Sequence, residues 1–235
     1  MARKLLANSA LGRFKPIRPA NAVIPVLATI WLTISACGLG FLMRYSHATG
    51  DSGKVAETWP KASGLERSSS KPTLLVFAHP KCPCTSATMH ELSWLMTRCH
   101  DLVDCRAIFF KPSKENEDWV QTTCWRLANS AQGVRVILDS DRMYSKRFGV
   151  ETSGHALLYD AKGKLLFEGG ITPSRGHRGS SPGRETLLDL IRRSDANGSH
   201  SKTQESYLDT TCVFGCPLEA KPIERTGRDL VKERG

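Results

Sequence analysis

Apolar positions divide the chain into one long apolar run, a polar stretch and a region of short alternating elements. The run covers residues 23–43 and has no charged side chain in its 21 positions. As a helix it would be about 31 Å long, at about 1.5 Å per residue, which is enough to cross the hydrocarbon core of a bilayer. We therefore predict a transmembrane helix over residues 23–43.

Charges on either side of this run predict its orientation. Residues 1–22 hold five Lys and Arg side chains and no acidic residue, whereas only Arg44 follows the run closely. Positive flanks stay in the cytoplasm, so residues 1–22 are expected to be a basic cytoplasmic N-terminus. The sequence thus predicts a single-pass signal anchor in the inner membrane, with the C-terminal domain in the periplasm or otherwise outside the cytoplasm. A lipoprotein signal at Cys37 and a cleaved signal peptide are alternatives, and each also exports the domain.

Beyond the membrane run, the pattern predicts a tether, one folded domain and a tail. Residues 44–70 are rich in Ser, Gly and Lys without apolar periodicity, which is typical of a flexible tether. Continuous and alternating apolar runs then predict strands at 74–78, 106–110, 134–139, 155–159 and 164–168. The predicted helices are one capped by Thr85 or Ser86 and three over 116–129, 142–148 and 182–193. This order predicts an α/β domain over residues 71–193, a central mixed sheet flanked by helices, followed by an irregular tail over residues 194–235.

Composition and charge exclude several classes of protein. The chain is 40% apolar and 24% charged, which excludes a wholly disordered chain and a polytopic membrane protein. Its formal net charge is +10, and five of these charges fall in residues 1–22. The remaining positive charge is too dilute for a nucleic-acid surface, so no nucleic-acid partner is expected.

Eight cysteines in an exported chain indicate redox chemistry, disulfides or metal ligands. The closest pair, Cys82 and Cys84, falls where the first predicted strand gives way to a helix, whose N-terminus carries partial positive charge. A thiol reacts as its thiolate, which positive potential stabilises. We therefore expect Cys82 to be the attacking thiol and Cys84 the resolving thiol, with His79 and Lys81 adding positive potential.

The residues around this pair carry a family resemblance. Residues 79–84 read HPKCPC, and Ser153 and Gly154 later precede a strand, a turn and a second strand. This arrangement resembles the thioredoxin-like superfamily over about residues 71–193, and in particular its exported, membrane-tethered branch similar to TlpA and RedB proteins. The resemblance implies a thioredoxin-like fold and a membrane-tethered thiol-disulfide oxidoreductase that acts on protein partners. It also implies that Ser153 and Gly154 lie opposite the cysteines.

The sequence departs from the family pattern at four points. One residue separates the two cysteines where the family has two, and Lys81 stands where a Trp usually precedes the first cysteine. Gly154 aligns with the family's proline, and Val76 with the buried acid of thioredoxin itself. A disulfide closed across one residue is a small, strained ring, which favours disulfide oxidation or isomerisation over strong reduction.

Two other function classes stay open for the same cysteines. Two thiolates with the imidazole of His155 suit Cu(I) or Zn(II), so a copper or zinc metallochaperone using Cys82, Cys84 and His155 is the first alternative. A redox-inert thioredoxin-like binding module is the second. The oxidoreductase hypothesis needs no cofactor; its partners are a protein thiol or disulfide substrate and an electron partner that the sequence does not identify.

The other cysteines suggest supporting roles. Cys212 and Cys216 are a candidate auxiliary pair, with three interpretations: a structural disulfide, a second exchange or metal pair, or two unrelated thiols. Cys99 and Cys105 flank a predicted helix-to-strand connection and are expected to form a structural disulfide. Cys124 falls on a helix face and is expected to be a buried apolar thiol.

One glycine-rich loop also carries positive charge. Residues 169–184 contain four side chains that are or can become cationic, among several glycines: Arg175, His177, Arg178 and Arg184. Backbone amides and cations in such a loop suit an anion or an acidic partner, and a solvated surface loop is the alternative.

Overall fold

The computed structural model describes residues 19–196 and 208–219. The chain forms two compact units, Met1–Arg44 and Tyr45–Gly235. The second unit contains the sheet and all of the candidate chemistry.

Helix α1, Pro19–Ser46, lies in the N-terminal unit except for its last two residues. An 18-residue window within Val23–Ser46 has a mean hydropathy of 2.0, and this span is the one helix in the described ranges that is long and apolar enough to cross a membrane. Its large apolar side chains are exposed; Trp31, for example, is 67% exposed. The helix that the sequence predicts over 23–43 is therefore present.

The second unit is built on a mixed sheet. Its strands are β1 Thr73–Ala78, β2 Asp104–Lys111, β3 Val134–Ser140, β4 His155–Tyr159, β5 Leu165–Gly170 and β6 Asp209–Thr210. They lie in the order β3-β2-β1-β4-β5-β6. Strands β1, β2 and β3 are parallel, β4 is antiparallel to β1 and β5, and the short β6 is parallel to β5. Central strand β1 is buried along its whole length, which explains its continuous apolar sequence.

Helices follow the strands in the predicted order. They are α2 Pro83–Cys99, α3 Thr123–Ser130, α4 Met143–Phe148 and α5 Pro182–Ala196, with a 3₁₀ turn at Glu117–Val120. The mixed sheet flanked by helices is the predicted fold class, and it is confirmed.

Both faces of the sheet are covered by apolar side chains. On one face, Leu92 of α2 and Ile191 of α5 pack in a cluster with Val76 and Leu158. On the other face, Phe77 and its neighbours pack against α4 and against the segment that precedes β1. Side chains alternate between the two faces along each strand. Residues that lie directly opposite each other on neighbouring strands therefore face the same cluster.

Two helix boundaries differ from the prediction. Residues 116–129 do not form one helix, because Thr122 is extended and its hydroxyl donates to the Pro80 carbonyl at 2.9 Å. That bond ties the break between the 3₁₀ turn and α3 to the loop after β1. Helix α2 begins at Pro83, earlier than a Thr85 or Ser86 cap would place it, and its N-cap residue is Cys82.

Residues 44–70, predicted to be a flexible tether, pack along the domain instead. The Trp59 ring contacts the rings of Phe148 and Tyr159, with centroid distances of 5.0 and 5.3 Å. The Tyr159 hydroxyl donates to the Ala56 carbonyl at 2.6 Å, and Trp59 N–H donates to the Gly163 carbonyl at 2.7 Å. The tether prediction is wrong because a few isolated apolar side chains, with no periodicity, cover the second face of the sheet.

Within the tail, residues 208–219 lie against the domain. Strand β6 extends the sheet at its edge, and Val213 is buried. Pro217 pairs with Thr152 in an isolated antiparallel bridge. The rest of the predicted tail, apart from the end of α5, lies outside the described residues.

Candidate active site

The site begins where β1 ends and α2 starts. Cys82 occupies the N-cap position with extended backbone angles of φ −83° and ψ 124°. Pro83 follows as the first helical residue, where its missing N–H costs no hydrogen bond and its fixed φ suits the helix. Local sequence therefore places the Cys82 sulfur at the positive end of α2.

Three thiols meet at this point. The Sγ atoms of Cys82, Cys84 and Cys216 all lie within 4.8 Å of one another. Cys82 and Cys84 are buried, and Cys216 is half-buried. Cys212, the other member of the auxiliary pair in the sequence, is exposed and lies outside this cluster.

Backbone contacts hold Cys216 in place. The N–H of Ser153 donates to the Cys216 carbonyl at 2.9 Å, and the N–H of Leu218 donates to the Glu151 carbonyl at 2.9 Å. Gly215 approaches so closely that a Cβ there would lie 1.8 Å from the Ser153 carbonyl oxygen. Residues 213–218, which we call the cap segment, thus lie along residues 151–153 as an additional extended strand would.

Ser153 connects three parts of the site. Its Oγ accepts from the N–H of His79 at 2.9 Å and lies 2.8 Å from Thr85 Oγ1. Because the Thr85 hydroxyl donates its own hydrogen to the His79 carbonyl at 2.9 Å, the Ser153 hydroxyl is the donor of that second contact. The loop before β4, the loop after β1 and the first turn of α2 are therefore locked together beside the thiols.

Gly154 has a backbone conformation that proline cannot adopt. Its φ is +90°, and its N–H donates to the Phe77 carbonyl at 2.7 Å. Proline requires a φ near −65° and has no N–H. A Cβ at this position would lie 3.0 Å from Thr88 Oγ1 on α2, so glycine also permits the close approach of the loop to the helix.

Of the three thiols, Cys82 is the one whose ionisation the surroundings favour. Burial raises the pKa of Cys82, but hydrogen bonds outweigh it and the pKa lies below its ordinary value. The donors are the Cys216 thiol and the backbone N–H groups of Thr85, Cys216 and Cys84. A thiolate at Cys82 is thus surrounded by donors that its own neighbours supply.

The other two thiols keep their protons. Burial and the adjacent Cys82 charge raise the pKa of Cys84. Burial raises the pKa of Cys216 to about 12, together with its hydrogen bond to Cys82 and the charges of Cys82 and Cys84. The positive charge of Arg175 has the opposite effect and lowers the pKa of both thiols.

Arg175 is a cation near these thiols that the motif over residues 79–84 does not predict. Its Nε donates to the Ala48 carbonyl at 2.7 Å, which fixes the side chain against the segment that precedes β1. The sequence signal was present only as a basic side chain in the glycine-rich loop. Its position beside the cysteines depends on the fold, since more than 90 residues separate Arg175 from Cys82 in the chain.

His79 and Lys81 lie beside the cysteines but make contacts of their own. The His79 ring packs near the rings of Phe110 and Trp119, and burial followed by the Lys81 charge lowers its pKa. The Lys81 ammonium lies 4.2 Å from the centre of the Trp119 ring. The main influences on the pKa of Cys82 are burial, the Cys216 thiol and backbone N–H groups rather than these two side chains.

His155 is not brought to the thiol cluster. It lies opposite Phe77 in the register of β4 with β1, so it shares the sheet face of the second apolar cluster and lies away from α2. The side chain is fully buried, both ring nitrogens lack a hydrogen-bond partner, and burial lowers its pKa to about 4. Among the described residues, the one set of three metal-ligating side chains close together is Cys82, Cys84 and Cys216, which have the chemistry to hold a soft cation.

The remaining cysteines of the domain are free thiols. Cys99 and Cys105 do not form the predicted disulfide; Cys99 Sγ instead donates to the Leu95 carbonyl at 3.2 Å. Burial raises the pKa of Cys99 to about 11 and also raises that of Cys105. Cys124 is the buried thiol that its helix face predicts.

Comparisons with known proteins agree with the fold. A structure of a hypothetical protein from Sinorhizobium meliloti superposes with a TM-score of 0.50 at 14% identity, over 74% of this chain and 96% of that one. A secreted disulfide oxidoreductase of Mycobacterium tuberculosis, described as homologous to E. coli DsbE, has a TM-score of 0.38 at 17% identity, over 53% and 82%. StoA from Bacillus subtilis has a TM-score of 0.39 at 16% identity, over 60% and 98%. No family model and no curated protein matches the chain.

At sequence identities this low, the superpositions compare folds alone. The topology is the arrangement that the sequence resemblance predicts. A cysteine pair lies at the junction of central strand β1 and helix α2, and an antiparallel β4–β5 pair follows. The superposition on the Sinorhizobium meliloti structure shows a shared fold, and the topology is the one that a thioredoxin-like fold implies.

Proposed function

We propose that this protein exchanges thiols and disulfides with protein partners through Cys82. One observation carries the proposal: the Cys82 sulfur lies at the N-terminus of α2, with two further thiols within 4.8 Å. A nucleophile with a stabilised thiolate and a second thiol in reach are the two groups that disulfide exchange requires.

The chemistry follows from these positions. The Cys82 thiolate attacks one sulfur of a partner disulfide, an S–S bond forms between Cys82 and the partner, and the partner's other sulfur leaves as a thiolate. A second thiol of the cluster then loses its proton and attacks the Cys82 sulfur, which releases the partner as a dithiol and leaves a disulfide in the site. The partner gains two electrons and two protons: the site supplies both electrons and the proton of its second thiol, and the other proton comes from the solvent that took it up when Cys82 ionised. The reverse sequence oxidises a partner dithiol.

We further propose that the site acts outside the cytoplasm, on a domain anchored by a single-pass helix in the inner membrane. The charge difference across residues 23–43 and the apolar helix α1 support this placement. Free cytosolic thiols keep cysteines reduced, whereas an exported site meets disulfides.

The test is catalysis of exchange between dithiothreitol and the disulfides of insulin by the full chain in detergent, with a metal chelator present. Wild type should accelerate the reaction, and Cys82→Ser should reduce the rate to background. Cys124→Ser removes a buried thiol outside the three-thiol cluster and serves as the matched control, with a rate close to wild type. A wild-type rate equal to background, or equal rates for wild type and Cys82→Ser, would refute the proposal.

A further inference from the structure

We propose that Cys216 is the thiol that resolves the exchange reaction, forming a disulfide with Cys82, so that the cap segment is a built-in exchange partner. This inference rests on the proposed function and names the second thiol of the same site. The motif around Cys82 and Cys84 would assign that step to Cys84.

Direct contact between Cys216 and Cys82 is the first support. The Cys216 thiol donates a hydrogen bond to the Cys82 sulfur, and the Cys216 backbone N–H also faces that sulfur. The two sulfur atoms lie within 4.8 Å of each other, as do those of Cys82 and Cys84, so either second thiol is in reach of Cys82.

The position of Cys84 on the helix is the second support. Cys84 is the second residue of α2 and is separated from Cys82 only by Pro83, whose φ is fixed. A disulfide between Cys82 and Cys84 must close a small ring against a helical backbone, which stores strain. Cys216 lies on a separate segment, so a bond to Cys82 closes a large loop and leaves the helix unchanged.

The cap segment is positioned by specific contacts. Two backbone hydrogen bonds join it to residues 151–153, and a third runs from the Gly50 N–H to the Val213 carbonyl at 2.8 Å. Gly215 allows the approach to Ser153, because any larger residue would meet the Ser153 carbonyl. Val213 and Leu218 are each 1% exposed and anchor the two ends of the segment.

Charge explains how Cys216 would act second. In the resting site the Cys82 thiolate suppresses ionisation of the Cys216 thiol, so Cys82 reacts first. Once Cys82 is bonded to a partner sulfur, its charge is gone, and Arg175 still favours the Cys216 thiolate. Attack of Cys216 on the Cys82 sulfur forms the Cys82–Cys216 bond and breaks the bond to the partner, whose thiolate takes up the proton that Cys216 loses.

Access to Cys82 also depends on the cap segment. Cys82 is only 5% exposed, and the cap segment lies over it. Local opening of this segment, which breaks its backbone hydrogen bonds to Gly50 and to residues 151–153, would admit a partner without unfolding the domain.

The experiment is a single turnover of the reduced full chain with a peptide disulfide, quenched with acid and mapped by mass spectrometry. Wild type should end with a Cys82–Cys216 disulfide. Cys216→Ser should accumulate the mixed disulfide between Cys82 and the peptide, with release of the second peptide thiol slowed at least tenfold. Cys84→Ser should release it at a rate close to wild type. Cys212→Ser, in the same tail but outside the cluster, is the matched control and should also behave as wild type.

A second variant tests the position of Cys216 while all thiols remain. Gly215→Ala should push the cap segment away from Ser153 and reproduce the accumulation seen with Cys216→Ser. Gly38→Ala, where a Cβ meets nothing within 4 Å, is its control.

The outcomes separate the two proposals. Accumulation in Cys84→Ser with normal release in Cys216→Ser would overturn the role of Cys216, and so would equal slowing in both variants. Absence of any mixed disulfide or peptide thiol release in all of these proteins, wild type included, would instead refute the proposed function itself.

Discussion

At the scale of single residues, the site depends on which sulfur carries the negative charge. Cys82 is buried, which by itself disfavours a thiolate. The Cys216 thiol and nearby backbone N–H groups reverse that effect, while Cys84 and Cys216 remain protonated. The lowered pKa of Cys82 therefore comes mainly from short-range donors rather than from His79 and Lys81.

These influences predict that the pKa of the Cys82 thiol depends on Cys216. Because the Cys216 thiol is the largest of the influences that lower the pKa of Cys82, Cys216→Ala should raise that pKa. The rate of alkylation of Cys82 by iodoacetamide, measured against pH, should then have its midpoint at a higher pH than in wild type. Cys212→Ala is the control and should leave the midpoint unchanged. A midpoint in Cys216→Ala at or below the wild-type pH would contradict this account of the charge.

His155 predicts a loss of stability in acid. Burial lowers its pKa from 6.5 to about 4 in the folded protein, so the unfolded chain binds the proton first as the pH falls. Above pH 6.5 His155 is neutral in both the folded and the unfolded chain, so it does not lower the free energy of unfolding. As the pH falls from 6.5 to about 4, that free energy should decrease by up to about 3 kcal/mol. His155→Leu should flatten the free energy of unfolding over this range, whereas His177→Leu, at an exposed site, should retain the wild-type slope. Identical slopes for wild type and His155→Leu would contradict the buried, neutral histidine.

Single residues of the site also differ in how far they could be predicted from the sequence. Cys82 and Cys84 are recognisable because their strand-to-helix position is local. Cys216 is more than 130 residues away in the chain, and its spacing suggested a partnership with Cys212. Only the path of the tail across residues 151–153 brings it to Cys82.

At the scale of elements, the fold was predictable wherever apolar periodicity was strong. The continuous apolar sequence of β1 and the order of strands and helices were correct. The single helix over 116–129 was wrong because a side-chain bond from Thr122 to Pro80 interrupts it. The tether over 44–70 was wrong because isolated residues such as Trp59 contribute to a core without any repeating pattern.

That packing predicts a stabilising role for the segment before β1. Trp59→Ala should lower the free energy of unfolding of the full chain by about 3 kcal/mol, near the lower end for aromatic core residues because Trp59 is half-buried. The indole Nε1–H also donates to Ser63 Oγ at 3.0 Å, and that bond is lost with the ring. Denaturant unfolding in detergent measures the change. Lys61→Ala, at an exposed neighbouring position, should change stability by less than about 0.5 kcal/mol; a similarly small effect of Trp59→Ala would show that the segment is a tether after all.

At the scale of the whole molecule, an apolar helix and a domain with a three-thiol cluster belong to one chain. The basic N-terminus was readable from composition alone, because charge bias acts over whole segments. A reporter enzyme that is active only after export should therefore be active when fused after Gly235 and inactive when fused after residue 22. Activity in the opposite pattern would reverse the orientation and place the thiols in a reducing compartment.

The central claim is that Cys82 cycles between thiol and disulfide, and a redox titration tests it most directly. The full chain in detergent is equilibrated in glutathione buffers of graded ratio, quenched with acid, alkylated and mapped by mass spectrometry. The account predicts one reversible two-electron transition in which Cys82 and Cys216 lose their free thiols together, and no such transition in Cys82→Ser. A Cys82 that remains a free thiol at every ratio, or a transition that persists unchanged in Cys82→Ser, would contradict it.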